Sequence, residues 1–339
     1  MTKRILTYGL IFYCAFLGFS QEDIIVSHSR FMQKVNPSAF GMNSMNKTGV
    51  LYNSLGLVGN TKVESKYFFG ALSFDRDNFS LGVDVYSLTM DNVGMTYNKP
   101  SLNYVYKIQL DNELYFLPSV SLGFGSNQLD NSKLIFEDQL SLVSGYLQTE
   151  SQDPLASNIG NANYLDLGAS FIIHSSYFLF GGSIKHLNQP IISYNNEDSN
   201  VKLPIRYSIQ GGYEFDVNPY DRTVLPRYST ILAFFNASKR GDNLDFFLSQ
   251  EAQLGEFSIG LNQQFRKTQS FGFTNIGMSV ALAYENFEFG ALYNFPFQNP
   301  LKTTVYSPST IEVFLTFDFS PYLRNKRGDY RRISIDNYY

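Results

Sequence analysis

The chain has 339 residues, a formal charge of −4, 24 tyrosines, 31 phenylalanines and a single cysteine. The negative charge argues against a nucleic-acid-binding protein, because such proteins concentrate lysine and arginine on one surface. The mean hydropathy of −0.16 excludes a helical membrane protein but is compatible with an outer-membrane β-barrel, in which a polar lumen face offsets an apolar lipid face.

Residues 1–20 have the features of a secretory signal peptide. Lys3 and Arg4 precede an apolar run over residues 5–17, and we expect cleavage after Ser20. The only cysteine, Cys14, lies inside this run. The exported chain would therefore contain no disulfide, and its stability must come from the fold itself. No later stretch is apolar for long enough to predict a transmembrane helix.

Residues 21–47 lack a regular apolar pattern and contain Asn36-Pro37, a turn signal. We interpret them as an N-terminal segment that precedes the first strand and lies either in the periplasm or in the lumen as a plug.

Residues 48–319 repeatedly alternate apolar and polar side chains, most clearly over residues 274–295. There Ile276, Met278 and Val280 alternate with Gly277 and Ser279. Side chains alternate between faces only in a strand, so this stretch predicts a β-hairpin with one apolar face. The same pattern predicts about fourteen strands, at 48–57, 64–74, 79–89, 100–110, 114–127, 163–173, 177–186, 203–216, 225–237, 244–254, 257–267, 274–285, 287–295 and 308–319.

The connections favour a transmembrane antiparallel β-barrel of the outer membrane. Those after even-numbered strands are mostly short, whereas those after odd-numbered strands are mostly longer: 90–99, 128–162, 187–202, 268–273 and 296–307. Outer-membrane barrels combine short periplasmic turns with longer external loops, so we expect both termini in the periplasm. A soluble β-sandwich or propeller is the alternative. It is less favoured because the polar faces carry mainly glycine, serine, alanine and asparagine, and because no fixed-period repeat is present.

The last predicted strand ends on Phe319, like the closing strand by which outer-membrane barrels are recognised for insertion. Residues 320–339 follow as a basic tail. We expect the tail in the periplasm, either solvated or in contact with an anionic wall or a partner protein.

The strand registers place mostly acidic charges in the lumen. An open lumen of this kind should prefer cations, whereas a plugged lumen should pair some of the charges with its plug. Segments 21–47 and 128–162 are long enough to enter, and we expect a partly plugged barrel. The predicted lumen charges are Asp84, Lys107, Asp166, Arg206, Glu214, Asp245, Glu251, Arg266, Glu285, Glu288, Glu312 and Asp318.

The three histidines, His28, His174 and His186, lack metal-ligand spacing. The sequence therefore predicts no metal site, no cofactor and no enzyme. A hydrolase that depends on His186 is the weakest alternative.

Three blocks resemble the PorP/SprF family of outer-membrane proteins: 36–41 (NPSAFG), 181–190 (GGSIKHLNQP), and 203–207 (LPIRY) followed by 211–215 (GGYEF). Ser38 before the alanine and Ile205-Arg206 in place of an Arg-His pair depart from the family pattern. The residues that carry the resemblance, and are candidates for partner contacts, are Asn36, Pro37, Phe40, Gly41, His186, Pro190, Arg206, Gly211, Gly212 and Tyr213.

The resemblance implies a non-enzymatic component of the type IX secretion system that supports secretion or surface attachment of cargo such as adhesins. In gliding bacteria, the resemblance also implies a role in surface motility. Its expected partners are outer-membrane lipid and either a secreted cargo protein or periplasmic ring proteins of the machinery. The acidic lumen keeps a second function open, that of a porin or substrate channel.

Overall fold

The computed structural model describes residues 24–44, 46–56, 62–134, 139, 151, 161–192, 201–218, 220, 224–227, 229–267, 271–297, 308–319 and 332–333. The predicted signal peptide lies outside these residues, as do most of the long connection before residue 161 and most of the C-terminal tail. No helix within the described ranges is long and apolar enough to cross a membrane.

The described strands form one closed antiparallel barrel. Consecutive strands pair with each other and the first strand pairs with the last. The exception is the short strand Ile108–Asp111, which continues the strand Met95–Tyr106 after Lys107 and pairs with the same neighbour, so the barrel has fourteen strands. The strands are β1 (Lys47–Gly56), β2 (Lys62–Phe74), β3 (Phe79–Met90), β4 (Met95–Tyr106), β5 (Ile108–Asp111), β6 (Leu114–Leu129), β7 (Ala162–His174), β8 (Phe178–Lys185), β9 (Arg206–Asp216), β10 (Thr230–Arg240), β11 (Asn243–Leu254), β12 (Phe257–Lys267), β13 (Phe271–Tyr284), β14 (Phe287–Pro296) and β15 (Ser309–Asp318).

The predicted fold class is confirmed, and the structure refines several strand boundaries. β4 begins at Met95 and β13 at Phe271, so the connections before them shrink to 91–94 and 268–270. The longer connections at that end of the barrel are 130–161, 186–205 and 297–308. We call this end the long-loop end and the opposite end the short-turn end.

β10 begins five residues later than predicted, at Thr230 instead of 225. Pro226 has no backbone N–H to donate to a ladder, which disfavours a strand there. The side-chain amide of Asn218 instead donates to the carbonyl oxygens of Leu225 at 2.9 Å and Pro226 at 3.4 Å, which holds this stretch as a loop.

The outer face of the barrel is apolar. Val280 is 46% exposed there, and large apolar side chains are exposed around the wall, including Leu102, Val120, Leu165, Ile209 and Ile311. A continuous apolar surface of this kind would cause aggregation in water, but it suits the hydrocarbon of a bilayer. The inner face carries buried serine, asparagine, glutamine and glutamate instead. The protein is thus an outer-membrane β-barrel.

Residues 24–44, which we call the plug, lie inside the barrel. The plug contains a single helical turn, α1 (Met32–Val35), followed by a 3-10 helix over Pro37–Ser44. Residues 24–42 are almost all buried. The plug reaches β1 at the short-turn end. There the carbonyl oxygen of Asn46, which directly precedes β1, accepts a 2.9 Å hydrogen bond from the backbone N–H of Phe319, so the start of β1 and the end of β15 lie side by side.

Candidate functional site in the barrel lumen

Two phenylalanines anchor the plug to one side of the barrel wall. The ring of Phe31 lies edge-on to the rings of Tyr67, Phe69 and Phe314, at centroid distances of 6.1, 6.0 and 5.6 Å. Edge-on aromatic pairs of this kind contribute about 0.5–1.5 kcal/mol each beyond their buried area. Phe40 is fully buried against the backbone of Gly82, where a Cβ atom would lie only 2.4 Å from the ring. Any larger residue at position 82 would clash with Phe40, so the plug can pack here only because residue 82 is a glycine.

Hydrogen bonds anchor the middle of the plug to β6, β7 and β8. The amide of Asn36 donates to the carbonyl oxygens of Phe171 at 3.0 Å and Gly182 at 3.3 Å. The hydroxyl of Ser38 lies 3.0 Å from that of Ser119 and 2.9 Å from that of Ser170. These groups are buried, so separating the plug from the wall would leave them without partners unless water entered.

Glu312 on β15 binds the start of the plug. Its carboxylate accepts hydrogen bonds from the backbone N–H groups of Val26 at 2.6 Å and Ser27 at 3.0 Å, and also from the hydroxyl of Ser27. The amide of Asn53 donates to the same carboxylate at 2.7 Å. One inward carboxylate thus fixes two consecutive backbone groups of the plug.

A cluster of arginine and glutamate side chains lies near the short-turn end of the lumen. Arg30 of the plug forms ion pairs with Glu251 at 2.5 Å and with Glu288. Arg332, from the C-terminal segment, forms 2.8 Å ion pairs with the same two carboxylates. Burial disfavours the charge on Arg332, but Glu251 and Glu288 outweigh that effect and raise its pKa above the ordinary value of arginine. We call these four residues the arginine–glutamate cluster.

The position of Arg332 and Ile333 differs from the expectation of a basic tail in the periplasm. Both residues lie in the lumen, and Ile333 is fully buried beside Gly212 and Phe234. The physical reason is the excess of carboxylates on the inner wall, which a basic segment can neutralise.

The predicted lumen charges occupy several separate places. Asp166 pairs with His186 at 2.8 Å and with Lys99, and Asp84 accepts a 2.7 Å hydrogen bond from Asn103. Arg206 is 3.4 Å from the hydroxyl of Ser238.

Four other predicted lumen charges lie towards the ends of the strands. Arg266 forms a partly exposed 2.6 Å pair with Asp245 near the long-loop end. Lys107 occupies the break between β4 and β5. The placement of Glu285 in a lumen-facing strand was wrong, because this residue begins the tight turn after β13 with a left-handed φ of 52°.

Most of the motif residues have internal contacts. His186 is fully buried, has a left-handed φ of 62°, and directs Nδ1 to Asp166. The carbonyl oxygen of Pro190 accepts a 2.9 Å hydrogen bond from Leu203. Pro37 begins the 3-10 helix, and Gly41 packs against Val105.

The glycine pair of the third block divides between the two faces of β9. Gly211 lies on the outer face under the ring of Phe235, and Gly212 lies on the inner face beside Ile333. Tyr213 is on the outer face, with its ring 4.5 Å from that of Phe215. It is therefore placed to contact lipid.

Sequence reasoning missed Ser27, Arg30, Arg332 and Ile333. The signal that pointed to the two arginines was the excess of acidic residues among the inward positions, since buried carboxylates need cations. The segments before residue 48 and after residue 319 could supply those cations. Within the described ranges, no group of three or more histidine, cysteine, aspartate or glutamate side chains is arranged to hold a metal ion.

Comparison with solved structures finds a porin, a hydrocarbon channel and an outer membrane protein, all of low sequence identity. A KdgM porin is 9% identical, with a TM-score of 0.36 over 80% of this chain and 99% of that chain. A deltaS2 mutant of the TodX monoaromatic hydrocarbon channel is 10% identical, with a TM-score of 0.46 over 80% of this chain and 88% of that chain. The Acinetobacter baumannii outer membrane protein Omp33 is 11% identical, with a TM-score of 0.42 over 82% of this chain and 100% of that chain.

Comparison of the sequence with curated proteins finds no match. Comparison with family models finds the model of the type IX secretion system membrane protein PorP/SprF, which matches residues 20–317. This match covers the whole barrel except the end of β15, and it includes the plug and all three motif blocks. The chain therefore belongs to the PorP/SprF family of type IX secretion system membrane proteins.

Proposed function

We propose that this protein is a non-enzymatic outer-membrane component of the type IX secretion machinery that supports the secretion or surface attachment of cargo proteins such as adhesins. The plug is the observation that carries the proposal. Its aromatic, hydrogen-bond and ion-pair contacts join it to strands on several sides of the lumen. A barrel filled in this way suits a scaffold for protein contacts better than a diffusion pore.

The main support for a porin is the acidic lumen, and the structure weakens it. Arg30 and Arg332 neutralise carboxylates that an open pore would present to passing cations. A porin function predicts stable conductance of the purified protein in a planar bilayer, whereas a scaffold function predicts none.

The burial of His186 weakens the hydrolase alternative. The ring of His186 is fully buried and its Nδ1 faces Asp166, so a substrate could not reach it in this conformation.

The two ends of the barrel are suited to different partners. We place the short-turn end in the periplasm, because outer-membrane barrels have short periplasmic turns. The chain enters β1 and leaves β15 at this end, where periplasmic ring proteins could contact it. The longer connections, 130–161, 186–205 and 297–308, would then face the cell surface, where cargo is attached.

The test is deletion of the gene, followed by quantitative proteomics of the medium and of the cell surface. We expect selected cargo proteins to fall at least tenfold at the surface or in the medium, and to return when the parent gene is restored. Affinity purification of the tagged protein from outer membranes should recover the same cargo or a periplasmic ring protein. An unchanged secretome together with unchanged surface proteins would end this proposal.

A further inference from the structure

Three glutamates near the short-turn end of the lumen hold two consecutive residues of the C-terminal segment. Glu214 lies two residues before the end of β9, Glu251 three residues before the end of β11, and Glu288 is the second residue of β14. All three strand ends lie at the short-turn mouth, so a chain segment that enters through this mouth meets the three carboxylates.

The contacts recognise both the backbone and the side chains of the segment. The carboxylate of Glu214 accepts the backbone N–H of Arg332 at 3.2 Å and that of Ile333 at 3.0 Å. The guanidinium of Arg332 donates to Glu251 from Nε at 3.2 Å and from Nη2 at 2.8 Å, and Nη2 is also 2.8 Å from Glu288. A planar guanidinium presents its donors in a rigid fork that can bind two carboxylates in a fixed geometry, whereas the ammonium of lysine is a point charge on a flexible stem.

An apolar pocket receives the next side chain. The Cδ1 atom of Ile333 lies 3.4 Å from where a Cβ atom of Gly212 would be, and the ring of Phe234 borders the same position. Ile333 has no exposed surface. Because residue 212 is a glycine, the pocket has room for the branched side chain of Ile333, and a larger residue at position 212 would reduce that room.

We propose that Glu214, Glu251, Glu288, Gly212 and Phe234 form a peptide-binding site that recognises an arginine followed by a branched aliphatic residue, and that its resident ligand is the C-terminal segment of the same chain. Backbone recognition, a charged anchor and an apolar anchor together are the elements of sequence-selective peptide binding. This inference concerns the lumen wall and does not depend on which cargo the protein handles.

Because the resident ligand is tethered, it should exclude a free peptide of the same sequence. Because these residues belong to the same chain as the site, their effective concentration there is on the order of millimolar. A free peptide should therefore bind well only when the tethered residues have been changed. The full-length variant with Arg332→Gln and Ile333→Asp leaves every barrel strand unchanged and releases the site.

The experiment measures fluorescence anisotropy of a labelled peptide with the sequence of residues 327–339, added to the purified protein in detergent micelles. We expect the released variant to bind this peptide at least 100-fold more tightly than the parent does. Adding Glu214→Gln to the released variant should weaken the binding at least tenfold, and this change leaves the ion pair of Arg30 with Glu251 intact.

A charge-matched pair of peptides separates recognition from general attraction to an acidic lumen. Changing Arg332 to glutamine in the peptide should weaken binding at least tenfold, whereas changing Arg331 to glutamine removes the same charge and should have little effect. Equal losses from the two changes would overturn the proposal. Equal binding of the peptide to the released variant and to the parent would also overturn it.

Discussion

An Arg30→Met variant should form an open pore where the parent is closed. Methionine keeps much of the length of the side chain but removes the charge, so Glu251 and Glu288 are left with Arg332 as their shared arginine and the cluster carries one buried negative charge in excess. Removing one partner from a buried ion pair costs about 3–5 kcal/mol. The guanidinium also lies 5.1 Å from the ring centroid of Phe314, and that contact would be lost as well.

The loss of this ion pair destabilises the docked state of the plug relative to the undocked state. The rest of the barrel can keep its strands when the plug moves, so the loss should appear mainly as undocking. A change of about 3 kcal/mol corresponds to a rise of more than 100-fold in the ratio of undocked to docked plug. Single-channel recording in planar bilayers should show frequent openings of Arg30→Met and a closed parent.

Arg266→Met is the matched control. Arg266 also pairs with a carboxylate, that of Asp245, but the pair is partly exposed near the long-loop end. Exposed pairs contribute only about 0–1 kcal/mol, so this variant should remain closed. If Arg30→Met conducted no more than Arg266→Met, the arginine–glutamate cluster would not hold the plug.

Val280→Arg should destabilise the barrel by about 2–4 kcal/mol, the cost of an arginine at the lipid-facing midplane of an outer-membrane barrel. Val280 lies within β13 on the outer face and is 46% exposed in the absence of lipid. The measurement is reversible unfolding by guanidinium chloride in lipid vesicles, compared with the parent. A loss below about 1 kcal/mol would contradict a lipid environment for this face.

The neighbouring change Ser279→Arg should act by a different route. Ser279 points inward, is nearly fully buried, and lies on the strand next to Ser258, which accepts a hydrogen bond from Arg30 at 2.5 Å. An arginine there would overfill the interior at a cost of about 1–3 kcal/mol. It would also bring a positive charge towards Arg30. We therefore expect Ser279→Arg to open the pore and Val280→Arg to leave it closed, in the same bilayer recordings.

The sequence was enough to predict the barrel wall, because each lipid-facing strand repeats the same two-residue alternation. Val280 and Ser279 fall on the predicted faces. The strand starts at Met95, Phe271 and Thr230 were misplaced because the alternation is weak there and turn chemistry decides the boundary.

The contents of the lumen were much harder to predict. Residues 21–47 were long enough to enter, but nothing in their pattern identifies Arg30 or Ser27 as contacts. The partners of these residues lie more than 200 positions away in sequence, and only closure of the barrel brings them together. The acidic excess on the inner face indicated that cations were needed, but it did not show which segments supply them.

The most direct test of a self-plugged lumen is a disulfide between Ser38→Cys and Ser170→Cys. The two hydroxyl oxygens are 2.9 Å apart, one on the plug and one on the inner face of β7. Cys14, the only native cysteine, lies in the predicted signal peptide and should not interfere. A control pairs Ser38→Cys with Ser54→Cys, because Ser54 lies on the outer face of β1 and cannot reach the plug.

The readout is maleimide labelling of both pairs after mild oxidation of intact outer membranes and then denaturation in SDS, which exposes the buried thiols, with and without a reductant. We expect the Ser38–Ser170 pair to take up label only after reduction and the control pair to remain free to react in both cases. A folded barrel in which the Ser38–Ser170 thiols stay unpaired would contradict the account of a lumen closed by its own N-terminal segment.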